Sequence, residues 1–364
     1  MGSCLRRWLF AGSWLLSVAC QTETGQRSGP VTTVAPADIQ PTIPAFYHWK
    51  STFAPTTAER ELLRDIAIQT LYIRFFDVDW DDATQQPVPT GPVSFRAKPV
   101  ARRLVPVVFI TNKTLLNLPP ANVPELARRI VRKVTQTATA AAITYPELQL
   151  DCDWTRSTRT RYFSLLKAIA AEARVPLSAT IRLHQVKFAA QTGVPPVRRG
   201  MLMAYNIGDW KRPDTRNSIL DPADLRRYVD YLPGYPLPLD IALPLFRWTV
   251  IFRNGRVLAL RNHLDAAQVR SQSFVVPEGK HQYDTTRFLV RRDTTLWGVS
   301  LRRGDLLRTE ACSLTQLLTA KELLLTRLPP QTRTFTAYHL DSTVLHSYPH
   351  AALKQLFVSP SPTP

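Results

Sequence analysis

The chain has 364 residues, 45% of them hydrophobic, and a formal net charge of +18 at pH 7. This length is enough for one large domain or two ordinary ones. A net positive charge this large is typical of proteins that bind nucleic acid. However, the arginines are spread along the chain, no nucleic-acid motif is visible and the N-terminal sequence predicts export. We therefore expect no nucleic acid as a partner. Anionic surface polymers or lipid headgroups fit the charge better, and a merely basic soluble surface is the alternative.

Residues 1–19 are a predicted signal peptide. Two arginines precede the apolar stretch 8–18, which is too short to span a bilayer comfortably. Cys20 follows the small residues Ser17 and Ala19 and resembles the acylated cysteine of a bacterial lipobox, although that pattern usually has leucine where Ser17 stands. We expect cleavage before Cys20, lipidation of Cys20 and a protein anchored by lipid at a membrane of the cell envelope. Simple secretion is the alternative.

Three further parts follow the predicted signal peptide. Residues 20–43 are polar and rich in proline and threonine, which predicts a flexible linker from the membrane to the domain. Residues 44–356 form the predicted folded domain, and residues 357–364 a disordered tail. We expect the protein to be a monomer.

Strand-like and helical segments alternate within the predicted domain. The predicted strands are 45–49, 70–76, 104–110, 147–155, 177–183, 201–205, 239–245 and 335–340. The predicted helices are 57–68, which a capping box opens, 124–134, 157–173, 185–190, 222–231 and 349–356. Eight strands, most of them followed by a helix, favour a parallel α/β sheet closed into a (β/α)8 TIM barrel over an open doubly wound sheet.

Two connections break this rhythm. Residues 77–103 are acidic and proline-rich and show no clear helix. Residues 247–333 are much longer than a helical connection requires, and they contain several strand-like runs and a helix near 314–325. We therefore predict an insertion subdomain at 247–333, before the last strand of the barrel.

The stretch 147–155 ends a predicted strand with two carboxylates. Because strand side chains alternate between faces, Asp151, Asp153 and Thr155 are expected on one face. Carboxylates are costly to bury unpaired, so such a pair marks a polar pocket. Two neighbouring carboxyls can share a proton, which raises one pKa. Asp151 and Asp153 are therefore the predicted catalytic pair, and a structural hydrogen-bond network is the alternative.

The active site of a (β/α)8 barrel lies at the carboxyl ends of its strands. Carboxylates, arginines and aromatic rings are predicted at these ends, and together they suit a carbohydrate. Rings stack on the apolar faces of sugars, and charged groups take the hydroxyls. The predicted substrate-binding residues are Trp49, Arg74, Asp77, Asp79, Arg182, His184, Tyr205, Asn206, Trp210 and Asp341.

Three segments resemble the family 18 glycoside hydrolases, the chitinase-like barrels. Residues 150–155 are similar to the end of the family's Asp-x-x-Asp-x-Asp-x-Glu strand, residues 203–206 to its Met-x-Tyr-Asp motif, and residues 241–246 to its seventh strand. The matches follow the family's order and cover the barrel core. The chain also resembles bacterial lipoprotein families distantly related to such barrels. The resemblance implies a glycosidase-like TIM barrel that binds or hydrolyses a glycan.

The resemblance also implies roles for single residues. Asp153 matches the aspartate that orients the N-acetyl group of the substrate, and Tyr205 matches the tyrosine that assists it. Thr155 stands where the family has the glutamate that protonates the glycosidic oxygen, and a hydroxyl cannot supply that proton at neutral pH. Leu148 and Asn206 also replace family aspartates. Three functions stay open: glycoside hydrolysis by another acid, glycan binding without catalysis, and an envelope scaffold that acts through the insertion.

No cofactor or metal is predicted. P-loop, Gly-x-Gly-x-x-Gly, Gly-x-Ser-x-Gly and Cys-x-x-Cys patterns are missing from the sequence, which contains only 13 glycines. The histidines near the strand ends lack the short spacing of a metal site, and the acidic stretch 77–82 is explained better as a solvated turn than as a calcium loop. Cys152 and Cys312 are expected to be buried thiols, with a disulfide as the alternative.

Overall fold

The computed structural model describes residues 41–99, 101–279 and 286–358. The predicted signal peptide, Cys20, most of the predicted linker and the end of the predicted tail lie outside these residues. Within the described ranges, no helix is both long enough and apolar enough to cross a bilayer.

Eight parallel strands close into a barrel, and each strand pairs with the next one in the chain. Their bounds are Thr42–His48 (β1), Thr70–Asp81 (β2), Arg103–Ile110 (β3), Leu148–Asp151 (β4), Leu177–Arg182 (β5), Arg199–Met203 (β6), Leu239–Pro244 (β7) and Arg333–Tyr338 (β8). β1 closes the ring, because it pairs with β2 at Ala45 and Thr70 and with β8 at Thr42 and Arg333. The predicted (β/α)8 barrel is confirmed.

The helices between these strands form the outer layer. The longest, Val123–Ala140, turns Leu126, Ile130 and Val134 toward the core at the four-residue spacing of one helix face. Thr56 begins the first helix with the predicted capping box. The helices are Thr57–Asp65, Asn112–Asn117, Val123–Ala140, Arg159–Glu172, Leu183–Lys187, Ala189–Thr192, Pro222–Val229, Leu314–Leu325, Ser342–Leu345 and His350–Phe357, with a 3-10 turn at Pro120–Asn122.

The second strand is longer than the sequence predicts. β2 continues through Asp81 and forms an antiparallel hairpin with Gln86–Thr90, in which Asp79 lies opposite Val88. Regular pairing therefore extends into the acidic and proline-rich stretch 77–103. Cross-strand pairing overrides the low strand propensity of aspartate and proline here. A short parallel pair, Thr52–Phe53 with Ser94–Phe95, follows beside it.

The connection between β7 and β8 contains an antiparallel sheet with its own apolar cluster. Its five strands, in spatial order, are Arg256–Asn262, Trp248–Arg253, Leu306–Glu310, Thr286–Val290 and Val275–Pro277. The same connection also contains the short helix Ala266–Arg270 and the hairpin of Thr294–Leu296 with Val299–Leu301. Helix Leu314–Leu325 lies in the predicted insertion range 247–333 but contributes Leu317 and Leu324 to the main barrel core. It contacts β7 and helix Pro222–Val229.

Both ends of the described chain pack against the barrel. Thr42 and Ile43, which fall in the predicted linker range, pair with β8 as part of β1. Phe357 falls in the predicted tail range but is buried, with its ring centroid 5.2 Å from that of Phe46 and 5.7 Å from that of Phe335. The folded barrel therefore extends a residue or two beyond 44–356 at each end.

Candidate functional site at the barrel mouth

The fourth strand ends earlier than the sequence predicts. β4 stops at Asp151, and Trp154 in the loop that follows packs into the core. The Trp154 indole is fully buried and donates from Nε1 to the Thr192 carbonyl oxygen at 2.9 Å. The predicted strand 147–155 is therefore too long: Asp153 and Thr155 lie in the following loop and are exposed, whereas Asp151 is buried at the end of β4. Leu150, Cys152 and Trp154 all pack in the main apolar core, as alternation predicts.

Asp151 occupies a nearly closed position at the end of β4, with 8% of its surface exposed. Thr180 on β5 donates from Oγ1 to Asp151 Oδ1 at 2.6 Å. Burial and then the negative charge of Asp153 raise the pKa of Asp151 to about 6, against the opposing charge of Arg182. Burial and the neighbouring charge therefore favour the protonated form of Asp151 relative to an exposed carboxyl.

Asp153 is held by Arg182, the last residue of β5. Arg182 Nε lies 2.5 Å from Asp153 Oδ1, and Nη2 lies 3.2 Å from Oδ2. The guanidinium carbon also lies 5.4 Å from the centre of the Tyr205 ring, as a cation–π contact. Burial opposes the charge, but Asp153 and Tyr205 keep the pKa of Arg182 above its usual value. The third nitrogen, Nη1, is buried and has no hydrogen-bond partner among the described residues.

A second guanidinium–carboxylate pair lies on β2. Arg74 donates from Nε and Nη2 to the two oxygens of Asp77, at 2.6 Å each, and from Nη1 to the Gly91 carbonyl oxygen at 3.2 Å. Asp79, two residues further along β2, accepts from the Thr111 hydroxyl at 2.8 Å. Arg74 and Asp77 thus present a fixed pair at the mouth, whereas Asp79 ties β2 to the segment after β3.

Aromatic rings from four strand ends gather in the same mouth. Tyr338 stacks on Tyr205 at 5.3 Å and contacts Trp49 at 5.5 Å and Phe246 at 6.0 Å between ring centroids. Tyr205 is buried, whereas Trp49, Phe246 and Tyr338 are partly exposed. Tyr47 lies beneath them in the barrel interior, 4.9 Å from Tyr72. The mouth therefore has an aromatic floor with three accessible rings.

The other predicted binding residues are spread around this floor. Asn206 is exposed and has a φ of +54°, and its backbone N–H donates to the Ile219 carbonyl oxygen at 2.7 Å. His184 is exposed at the start of helix Leu183–Lys187. Trp210 packs in an apolar cluster with strands of the inserted sheet, and its carbonyl oxygen accepts from Arg308 Nη2 at 3.0 Å.

Asp341 is engaged within the structure. It is buried, its Oδ1 accepts from the backbone N–H of Thr343 at 3.1 Å, and the same oxygen lies 3.1 Å from Lys50 Nζ. Burial works against the charge, yet Lys50 and these hydrogen bonds hold the pKa of Asp341 below its usual value. These contacts cap the helix Ser342–Leu345 and join it to the loop after β1.

Three contributors to the mouth were not among the predicted site residues: Thr180, Phe246 and Tyr338, which ends β8. Thr180 lies two residues before Arg182 on the same face of β5, so strand alternation applied to β5 as well as β4 predicts its contact with Asp151. Phe246 follows the apolar strand β7, where an aromatic residue is equally typical of core packing. No signal in the sequence separates those two roles.

The described residues contain no group of three or more histidine, cysteine or acidic side chains placed to hold a metal ion. Cys152 and Cys312 are both buried, and no disulfide joins them. The chemistry offered by the mouth therefore consists of the buried carboxyl of Asp151, two paired guanidinium groups and the aromatic floor.

The protein is a (β/α)8 barrel with the fold of the chitinase-like barrels. It is similar to the spore cortex-lytic enzyme SleL of Bacillus cereus, with TM-score 0.51 and 13% identity over 87% of this chain and 74% of that chain. It is similar to a chitinase from Chromobacterium violaceum, with TM-score 0.52 and 11% identity over 86% and 98%. A Group IV chitinase of Ostrinia furnacalis gives TM-score 0.52 and 8% identity over 87% and 99%. No protein-family model and no curated protein matches the sequence. The resemblance to chitinase-like barrels is confirmed at the level of the fold.

Proposed function

We propose that this chain is an exported, lipid-anchored, glycosidase-like barrel whose mouth binds a carbohydrate at the bacterial cell envelope. The observation that carries the proposal is the aromatic floor of Trp49, Phe246 and Tyr338 beside the Arg182–Asp153 pair. Accessible rings pack against the apolar faces of sugars, and a fixed charged pair hydrogen-bonds their hydroxyls. Export and the anchor at Cys20 are supported by the N-terminal sequence.

The mouth is better suited to binding a sugar than to hydrolysing it, because two of its carboxylates already pair with arginines. Both oxygens of Asp153 contact Arg182, and both oxygens of Asp77 contact Arg74. Thr155, at the position where the resembled family has its acid, lies 2.8 Å from the Ser157 hydroxyl through its Oγ1. A threonine hydroxyl does not act as a proton donor near neutral pH.

Hydrolysis is the second candidate, and Asp151 is the observation that favours it. A pKa raised to about 6 suits a carboxyl that gives a proton near neutral pH. A glycosidase needs a second carboxyl about 5–5.5 Å away for retention or about 6.5–9.5 Å away for inversion. If the mouth hydrolyses its ligand, Asp151→Asn abolishes product release while circular dichroism stays unchanged. Product release that survives Asp151→Asn contradicts this second candidate.

A glycan array tests the first candidate. The wild-type protein is expected to retain one class of glycan, and Trp49→Ala to lower the affinity at least about tenfold, which corresponds to about 1.4 kcal/mol of lost contact. Tyr231→Ala is the matched control, because Tyr231 is 45% exposed and follows helix Pro222–Val229. Retention of no glycan, or equal binding by both variants, contradicts the proposed function.

A further inference from the structure

The start of every barrel strand lies at the end of the barrel opposite the mouth, and we call this end the amino-terminal face. A cavity of about 350 Å³ opens there. Its charged lining consists of Arg102, Arg103, Arg199 and Arg333 with Glu147 and Asp240. These residues lie at or just before the starts of the strands, whereas the mouth lies at the strand ends. The cavity is therefore separate from the proposed carbohydrate site.

The two carboxylates of this cavity are already satisfied. Arg199 holds Asp240 through Nε at 2.7 Å and Nη2 at 2.9 Å, and the backbone N–H of Thr334 adds a third contact at 2.6 Å. Arg103 pairs with Glu147, whose other oxygen accepts from a serine hydroxyl on β5. Two guanidinium groups thus neutralise both acids within the cavity.

With Arg102 and Arg333 included, the lining has four arginines against two carboxylates, a formal charge of +2. Arg333 is 3% exposed and donates to backbone oxygens, with Nη1 2.6 Å from the Leu239 carbonyl oxygen. Arg102 is exposed and makes no ion pair with any described residue. A lining with an excess of two positive charges has an electrostatic preference for an anion.

We propose that this cavity binds a phosphate group, carried by an anionic lipid headgroup or by a soluble phosphate. Guanidinium groups match the oxygens of phosphate through two parallel donors, as they match carboxylates. The cavity volume of about 350 Å³ is within the range of small-ligand sites.

The lipid source is favoured by where the chain enters the barrel. β1 begins at Thr42 on the amino-terminal face, and its second residue, Ile43, lines the cavity. Arg174 and Arg198, both exposed, precede β5 and β6 on the same face. This choice of source rests on the anchor in the proposed function, whereas the phosphate site itself does not.

Thermal unfolding in inorganic phosphate tests the site, using the exported protein with Cys20→Ala so that no lipid contributes. Phosphate at a fixed ionic strength is expected to raise the Tm above the value in chloride, because a ligand of the folded state stabilises it. Arg102→Gln should remove most of that rise. Arg156→Gln, which removes an exposed arginine just after β4 at the opposite end, should keep it. No rise over chloride, or equal responses of the two variants, overturns the proposal.

Sedimentation with vesicles separates the two sources. The Cys20→Ala protein should bind phosphatidylglycerol vesicles and not phosphatidylcholine vesicles, and Arg102→Gln with Arg198→Gln should lower the affinity about 25-fold, at about fivefold for each arginine. A phosphate response without vesicle binding supports the site with a soluble phosphate as its ligand. If Arg156→Gln weakens vesicle binding as much as Arg102→Gln does, the binding reflects only the net charge of +18. That result overturns the lipid assignment. Glycan binding is measured separately, because a protein that does not bind phosphate can still be tested for glycan binding, and the reverse.

Discussion

Arg182 binds both carboxylate oxygens of Asp153 through its Nε and Nη2 atoms. Its third nitrogen, Nη1, is buried and has no hydrogen-bond partner among the described residues. The same guanidinium lies over the ring of Tyr205. One cation therefore joins the loop after β4 to the aromatic floor and keeps a donor available for an oxygen of a ligand. An unpaired buried donor is costly, and a ligand oxygen would relieve that cost.

Substitutions in this pair are expected to shift the pKa of Asp151 in opposite directions. The charge of Asp153 raises that pKa and the charge of Arg182 lowers it. Asp153→Asn should therefore bring the pKa of Asp151 below about 6, and Arg182→Gln should bring it higher. Carboxyl carbon chemical shifts followed through a pH titration measure both. Asp82→Asn, an exposed carboxylate paired with Lys113, is the control that should change nothing. A shift in the same direction for both test variants would count against the observed arrangement.

Acid should destabilise the fold through His48. Burial, then Lys50, lowers the pKa of His48 to about 4, so the folded state keeps the ring neutral where the unfolded chain binds a proton. This contribution is fully present above pH 6.5 and is lost as the pH falls toward 4. It amounts to about 1.4 kcal/mol per pH unit, or about 3 kcal/mol in total.

The variant His48→Leu isolates this effect in urea unfolding. The free energy of unfolding of the wild-type protein minus that of the variant should be about 3 kcal/mol more positive at neutral pH than near pH 4. The contribution of Asp151 to stability changes with pH in the opposite direction, because its pKa is raised. This contribution is the same in both proteins and cancels from the difference. A difference that is independent of pH would refute the assignment of a buried neutral His48.

Trp154 is expected to be the main anchor of the loop that carries Asp153. Trp154→Phe removes the donor of the hydrogen bond to the Thr192 carbonyl oxygen and leaves a small cavity, at a cost of about 2–3 kcal/mol. Phe188→Ala, at a ring that is 47% exposed, should change the free energy of unfolding by about 0.5 kcal/mol or less. Chemical unfolding compares the two, and equal losses would show that Trp154 is not the buried anchor.

The lipid anchor has a direct chemical test. Cells that express the protein with radiolabelled palmitate should incorporate label into the wild-type chain and not into Cys20→Ala, because the predicted thiol acceptor is then missing. Cys152→Ala controls for labelling at a buried thiol. Label that persists in Cys20→Ala, or is missing from the wild-type protein, contradicts the anchor.

The barrel was predictable from the sequence because apolar strands and amphipathic helices alternate with the period of each element. β7, for example, is buried throughout, and residues 241–245 stand out in the sequence as a continuous apolar run. The length of β2 was not predictable, because its second half carries aspartates and pairs with a proline-containing strand whose position depends on tertiary contacts.

The site was predictable in place but not in detail. Strand order puts Arg182 beside Asp153, and simple alternation identifies the residues at each strand end. The sequence did not reveal that regular strand pairing ends at Asp151, although Leu150, Cys152 and Trp154 all pack in the core as alternation predicts. The path of the loop that follows depends on a group remote in sequence, the Thr192 carbonyl oxygen that accepts from the Trp154 indole.

The structure of the protein with a glycan retained on the array shows most directly whether the barrel mouth is a carbohydrate site. We expect a sugar ring to lie against Trp49 or Tyr338 and a hydroxyl oxygen to accept from Arg182 Nη1. The same structure gives the distance from the Asp151 carboxyl to the nearest glycosidic oxygen and so separates binding from hydrolysis. A glycan bound at the amino-terminal face or on the inserted sheet, with the mouth empty, would contradict the account.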